Sequence, residues 1–264
     1  MTRILMRGGK SPFQYISYED TLARNKLGTN SGNLIFAESV WRTLSTKNTT
    51  LRMNGYSARP SRAAVVNSDY DVVVLPFANA FRTSFLPHLR KFTDLVEQLK
   101  IPVVVTGVGA QAGLDATPEA IAEMGPDVAA FCKAVLKRSA SIGVRGEYTY
   151  EFLRSLGFSD DEIDVIGCPS MFYHGASLPQ IQTREELLPS DKVSMNVSPY
   201  VRGISKIFER NYKHYEKLVY IPQNNESLDQ ILWNGEFLEQ PGKVFPKTTD
   251  HPMFEEDRLR MFID

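Results

Sequence analysis

The chain has 264 residues, of which 42% are hydrophobic, and its 30 basic and 31 acidic residues give a net charge of −1. A chain of this length can bury a sizeable core and form one large domain or two small ones. The balanced charge excludes a general attraction to nucleic acid or anionic membranes, so an anion must be bound by locally placed groups. No apolar run reaches the roughly 18 residues that a membrane-spanning helix needs.

The cysteines and the N-terminus indicate the compartment. Cys132 and Cys168 lie in apolar surroundings, without the spacing of metal ligands and without a C-x-x-C arrangement. We therefore expect buried, reduced thiols. Residues 1–10 predict a strand followed by a glycine turn, and they are too short and too polar for a signal peptide. We expect a cytoplasmic protein.

Short apolar runs alternate with longer helical patterns, as is typical of a parallel sheet flanked by helices. The predicted strands cover residues 3–6, 51–54, 71–75, 102–106, 141–144 and 164–166. The predicted helices cover residues 34–44, 86–99, 126–137 and 148–156. Strands 71–75 and 102–106 contain valine runs without polar alternation, so we expect both in the middle of the sheet and covered on both faces.

The second part of the chain repeats this alternation less completely. Strands are predicted at 192–197 and 218–221, helices at 203–215 and 227–233, and a last amphipathic segment at 251–263. Two strands cannot easily close a second sheet. We predict an N-terminal Rossmann-like domain at 1–175, a linker rich in glycine, proline and polar residues at 176–190, and a partial second Rossmann-like domain at 191–264.

Polar and basic residues directly follow several of the predicted strands. In open α/β sheets, ligands bind outside the carboxyl ends of the strands, so these residues predict one shared crevice. The candidate substrate-binding residues are Asn30, Gly32, Asn33, Asn79, Arg82, Gly107, Gly109, Gln111, Arg145 and Ser170.

A polar segment from Gly28 to Asn33 (GTNSGN) precedes the first predicted helix. Asn30 and Asn33 are of the type that caps helices, and Gly32 lets the backbone approach a ligand closely. A helix N-terminus of this kind offers N–H groups and a positive dipole end to an anion. The alternative is a polar turn that only caps the helix.

Arg145 follows an apolar strand and opens a helix through Gly146, so its guanidinium is predicted at the strand's carboxyl end. Arginine binds carboxylate or phosphate through two parallel hydrogen bonds. The alternative is a salt bridge to Glu147 or Glu151. For Arg82, which stands in a similar loop, the alternative is a solvated cation.

The glycines in residues 107–113 (GVGAQAG) depart from the G-x-G-x-x-G spacing of dinucleotide-binding loops, and no predicted helix follows at once. We therefore expect no redox cofactor but a loop close to a substrate, with Gln111 as donor and acceptor, or else a tight turn. The sequence has neither a nucleophile motif nor a histidine pair with metal-ligand spacing, and it lacks the basic and aromatic pattern of nucleic-acid binding. We expect no metal site and no nucleic-acid partner.

Four segments together resemble the polysaccharide pyruvyl transferase family. They are GTNSGN at 28–33, TGVGAQ at 106–111, VRGEYT at 144–149 and VIGCPS at 165–170. The resemblance runs from the first strand to residues 251–254. It implies two Rossmann-like halves of the glycosyltransferase-B type with the active crevice between them. It also implies transfer of the pyruvyl group of phosphoenolpyruvate, the donor, onto two hydroxyls of a sugar in a cell-surface polysaccharide, without a cofactor.

The chain departs from the family at one point. The resemblance implies an Arg-x-His-Gly segment in the second domain, and none of the four histidines stands in one; only His174 is followed by glycine. We therefore expect a truncated chain or a degraded, inactive member. Two other functions stay open: a nucleotide-sugar glycosyltransferase of the same architecture, and a non-catalytic carbohydrate- or anion-binding protein. A homo-oligomer is compatible with each.

Overall fold

The computed structural model describes residues 1–15, 30, 32–112, 121–196 and 204–220. The chain divides into two compact units: Met1–Gln14 with Ile35–Pro179, and Tyr15–Leu34 with Gln180–Asp264. The predicted domain and linker bounds stay a prediction. No helix in the described part of the chain combines the length and apolar character that crossing a bilayer requires.

The first unit contains a six-stranded parallel sheet, which confirms the predicted α/β class. Its strands lie in the order β2-β1-β3-β4-β5-β6. They are β1 (Thr2–Met6), β2 (Thr49–Met53), β3 (Val72–Pro76), β4 (Val103–Val108), β5 (Ile142–Val144) and β6 (Ile163–Val165). Strands β3 and β4 are central, as predicted. The strand order reverses between β1 and β3, and such switch points are where open α/β sheets bind ligands.

Helices pack on both faces of the sheet. They are α1 (Gly32–Leu44), α2 (Ala63–Asp69), α3 (Leu86–Gln98), α4 (Gly125–Leu136) and α5 (Glu147–Ser155). On one face, Val40 and Trp41 of α1 pack with Ile4 and Met6 of β1. On the other, α3 and α4 cover a larger core, whose residues include Phe77, Phe92, Val105, Phe131 and Val144.

Helix α3 forms because apolar side chains recur every three or four residues. Leu89, Phe92 and Val96 are buried, and proline stands in the first turn, where a missing N–H costs no hydrogen bond. Helix α2 was not predicted. It has seven residues, and its sequence AAVVNSD contains β-branched and cap-type residues that disfavour an isolated helix. A 3₁₀ turn at Pro60–Arg62 leads into it.

The expectation that β4 is covered on both faces is wrong. Val103 and Val105 are buried, but Val104 is 41% exposed. Successive side chains of a strand point to opposite faces, and α1, on the face of Val104, packs over β1. A cavity of about 790 Å³ therefore opens along this face, lined by Val72, Val74, Val104, Thr106 and Tyr173, among others.

The second unit contains a two-stranded parallel sheet of β7 (Lys192–Met195) and β8 (Lys217–Tyr220), with α6 (Ile204–His214) between them in sequence. Tyr212 of α6 and Leu218 of β8 are buried. The predicted strands and helix at these positions are confirmed: β7 and α6 end earlier than predicted, and β8 begins one residue earlier. The predicted helix at 227–233 and the segment at 251–263 lie outside the described residues.

Candidate active site

Backbone hydrogen bonds join the loops that follow β3 and β4. Gly109 N donates to Ala78 O at 2.6 Å, and Phe81 N donates to Gly109 O at 3.2 Å. Gln111 N then donates to Phe81 O at 2.8 Å. These bonds extend the pairing of the central strands past their carboxyl ends, so the two loops hold fixed positions relative to each other.

The joined loops bring three predicted residues into one network. Asn79 Nδ2 donates to Gln111 Oε1. Arg82 Nη1 donates to both the backbone oxygen and Oδ1 of Asn79, each at 2.7 Å. Arg82 Nε donates to Ser84 Oγ at 3.1 Å. Arg82 is therefore half-buried and held by its own loop rather than being a freely solvated cation.

Backbone conformation and packing together explain why residue 107 is glycine. Its φ of +63° favours glycine, and a Cβ there would lie 2.5 Å from Pro169 Cδ and 3.0 Å from the Phe36 ring. Gly109 has ordinary space around it and contributes through the backbone bonds just described. A role of either glycine in substrate binding stays a prediction.

Arg145 lies at the carboxyl end of β5, as predicted. Its backbone N–H donates to Val108 O at 2.8 Å. In the side chain, Cζ lies 5.3 Å from the centroid of the Phe36 ring. Its Nε is buried and has no hydrogen-bond partner among the residues that the structure describes. Among the described residues, no carboxylate forms an ion pair with it, so the alternative of a salt bridge to Glu147 or Glu151 is not observed. With no carboxylate partner among those residues, the guanidinium suits an anion.

Thr149 links this region to the β4 loop. Its side chain is buried in the first turn of α5, and its Oγ1 accepts a hydrogen bond from Ala110 N at 2.9 Å. Thr149 ends the VRGEYT motif at 144–149, and the sequence alone predicts no role for it. The bond ties the start of α5, and with it Arg145, to the joined loops.

A second arginine, Arg7, lies at the carboxyl end of β1 and was not predicted. Its Nη1 donates to Pro76 O at 3.2 Å, and its Nε is buried with no hydrogen-bond partner in the described ranges of the chain. Burial lowers its pKa to about 10, and the charge of Arg82 acts in the same direction. At neutral pH Arg7 is therefore still charged. The Arg7 Cζ lies within 4.8–5.7 Å of the centroids of four aromatic rings, those of Tyr56, Phe77, Phe85 and Phe92.

Arg7 could have been found from a repeated sequence pattern. An apolar strand followed by Arg-Gly occurs at Met6-Arg7-Gly8 and again at Val144-Arg145-Gly146. At the first copy, the sequence predicts only a glycine turn.

Other predicted residues lie apart from these loops in sequence. Ser170 is half-buried in the 3₁₀ turn Pro169–Phe172, and the Cys168 thiol donates to its Oγ at 3.5 Å. Asn30, Gly32 and Asn33 belong to the second compact unit. Asn30 Oδ1 accepts from Gly32 N at 2.8 Å, and Asn30 O accepts from Asn33 N at 3.1 Å. Both N–H groups are thus engaged within the turn, and their role in anion binding stays a prediction.

Comparison with known proteins identifies the family. A sequence profile of polysaccharide pyruvyl transferases matches residues 30–249, most of the chain. The chain belongs to the polysaccharide pyruvyl transferase family. This confirms the resemblance drawn from the four motifs. The match includes all of their residues except the first two of the GTNSGN segment.

The other comparisons add no functional detail to the family assignment. No curated protein matches the chain. Among solved structures, a xylose isomerase domain protein from Planctomyces limnophilus is similar, with 8% identity over 98% of this chain and 91% of that chain and a TM-score of 0.34. A likeness this low supports no argument. Within the described residues, no group of three or more His, Cys, Asp or Glu could hold a metal ion.

Proposed function

We propose that this family member transfers the pyruvyl group of phosphoenolpyruvate onto two hydroxyls of a glycan and releases phosphate. The observation that carries the proposal is Arg145 at the carboxyl edge of the sheet, which pairs with no carboxylate in the described part of the chain and lies next to loops that offer amide and backbone groups. Phosphoenolpyruvate is small and has two anionic groups. It suits a guanidinium and amide donors better than an apolar pocket.

The reaction needs acid–base chemistry and charge stabilisation. A proton adds to the methylene carbon of the enol, and one glycan hydroxyl attacks the adjacent carbon. The bond from that carbon to the phosphate oxygen breaks, and a second hydroxyl attacks the same carbon. One of the two hydroxyl protons balances the new methyl group, and the other leaves with phosphate. Transfer is fast only when groups in the site stabilise the charge of the departing phosphate.

In this proposal Arg145 holds the phosphate or carboxylate of the donor through its terminal nitrogens. The stacked Phe36 ring and the bond to Val108 keep the arginine in place. Asn79 and Gln111 present amide groups from the neighbouring loops and would bind hydroxyls or donor oxygens.

Calorimetry tests the binding step. Phosphoenolpyruvate is titrated into the natural chain, into Arg145→Met and into Arg52→Met, a control that removes one exposed cation from β2. We expect Arg145→Met to bind at least about tenfold more weakly, as loss of a charged hydrogen-bonding partner predicts, and the control to bind normally. Equal affinity in all three proteins would contradict the assigned role.

A further inference from the structure

Arg7 has the features of a binding residue that the proposed reaction does not use. A guanidinium has five N–H donors, and Arg7 uses only one nitrogen, Nη1, toward Pro76 O. Nε is buried and finds no partner among the described residues, which is costly for a polar group unless a ligand or water pairs with it. Nη2 has no hydrogen bond to any described residue, yet it is not among the buried unpaired atoms. It is therefore open to an incoming acceptor.

A second cation lies close to Arg7. The charge of Arg82 lowers the pKa of Arg7, and the Cζ atoms of both arginines lie within 5.7 Å of the centroid of the Phe85 ring. In the described part of the chain, neither arginine forms an ion pair with a carboxylate. Like charges near each other repel, and an anion that contacts both guanidinium groups would relieve the repulsion.

The surroundings of Arg7 are built by a strained turn. Tyr56 has a φ of 59°, which is rare for a residue with a side chain, and its ring lies 5.0 Å from Arg7 Cζ. Asn54 holds the turn, because its Oδ1 accepts from Tyr56 N at 3.0 Å and from Gly8 N at 3.3 Å. Strain of this kind persists only where surrounding contacts enforce it, and here it fixes the ring over Arg7.

The position of Arg7 is distinct from that of Arg145. Arg7 contacts Phe92 of α3, whereas Arg145 contacts Phe36 of α1, which lies on the other face of the sheet. Their strands are also three positions apart in the sheet order, or roughly 14 Å at the usual strand spacing. Because the two side chains also lie toward opposite faces of the sheet, we expect each guanidinium to contact its own anionic group.

We propose that Arg7 and Arg82 form a second anion subsite, which binds one phosphate or carboxylate group independently of Arg145. The subsite does not depend on pyruvyl transfer. The anion could belong to the donor or to an anionic acceptor, and this choice rests on the proposed function.

NMR of protein labelled on arginine observes the Nε–H groups directly and tests the subsite. Loss of one signal in Arg7→Met identifies Arg7, and Arg145→Met identifies Arg145 in the same way. Inorganic phosphate is then titrated into the natural chain and into Arg82→Met, which removes a half-buried loop cation with its hydrogen bonds to Asn79 and Ser84, and an unchanged backbone amide spectrum confirms that this variant keeps the fold. We expect phosphate to shift the Arg7 signal, and we expect an apparent Kd at least about tenfold higher in Arg82→Met.

The control and the remaining titrations separate the outcomes. Arg52→Met removes an exposed cation and should leave the Kd unchanged. If phosphoenolpyruvate shifts the Nε–H signals of Arg7 and Arg145 over the same concentration range, both subsites bind the donor. A sugar phosphate shifting Arg7 alone would assign the subsite to the acceptor. The proposal is overturned if phosphate leaves the Arg7 signal unmoved, or if Arg82→Met binds phosphate as the natural chain does.

Discussion

Arg7 and Arg145 extend from the carboxyl edge of one parallel sheet toward its opposite faces. Arg7 lies against Phe92 of α3, and Arg145 lies over Phe36 of α1. Alternation along the strands explains this, because Arg7 is three residues after Ile4, whose side chain faces α1, and Arg145 directly follows Val144, which faces the α3 and α4 core. The two cations are thus placed for two separate anionic groups.

Arg145 should be sensitive even to a substitution that keeps its charge. Lysine retains the cation but cannot form two parallel hydrogen bonds or stack in the same way on Phe36. We expect Arg145→Lys to lower kcat/KM for phosphoenolpyruvate at least about tenfold while the midpoint of thermal unfolding stays close to that of the natural chain. An unchanged kcat/KM would assign Arg145 a structural role instead.

Gly107 should be necessary for stability. Alanine there would be strained by the φ of +63° and would overlap Pro169, so Gly107→Ala should lower the free energy of unfolding by roughly 2–4 kcal/mol. Gly146→Ala is the matched control, because its φ is −176° and the space around a Cβ is empty. We expect a change below about 1 kcal/mol in the control. Similar losses in urea denaturation of both variants would show that the close contact with Pro169 is not the cause.

The sequence predicted these features unequally. An apolar strand followed by Arg-Gly is a local pattern that predicts the position of Arg145, and the same pattern at Arg7 shows that it could serve at both sites. The contact between Gly107 and Pro169 joins two distant parts of the chain, and no local pattern reports it. The exposure of Val104 also depends on where α1 packs, which a run of valines does not encode.

The two cysteines should differ in reactivity. Cys132 is fully buried, and burial raises the pKa of its thiol, which suppresses the reactive thiolate. Cys168 is half-buried at the carboxyl end of β6. A chromogenic disulfide reagent should therefore modify Cys168 first in the folded chain, and Cys132 only after denaturant is added. Cys168→Ser should remove the early phase; an early phase that persists in this variant would contradict the assignment.

The Arg3–Asp71 pair should give a defined acid dependence. Hydrogen bonds from Arg3 lower the pKa of Asp71 from 3.8 to about 2. Because the folded state binds the proton less tightly than the unfolded state, the stabilisation is fully present above pH ~4 and is lost as pH falls through about 2. The difference in unfolding free energy between the natural chain and Asp71→Asn should therefore shrink over this range. A difference that stays constant from neutral pH down to pH ~2 would contradict the shift.

The most direct test of the account is transfer of label from phosphoenolpyruvate to a glycan. The natural chain is incubated with phosphoenolpyruvate labelled in its pyruvyl carbons and with polysaccharides that offer pairs of free hydroxyls. Phosphate release and label in the glycan are then measured together. We predict one phosphate released for each acid-labile pyruvyl ketal formed, and loss of both products in Arg145→Met. Phosphate released to water at the same rate by both proteins, with no label in any glycan, would contradict the account.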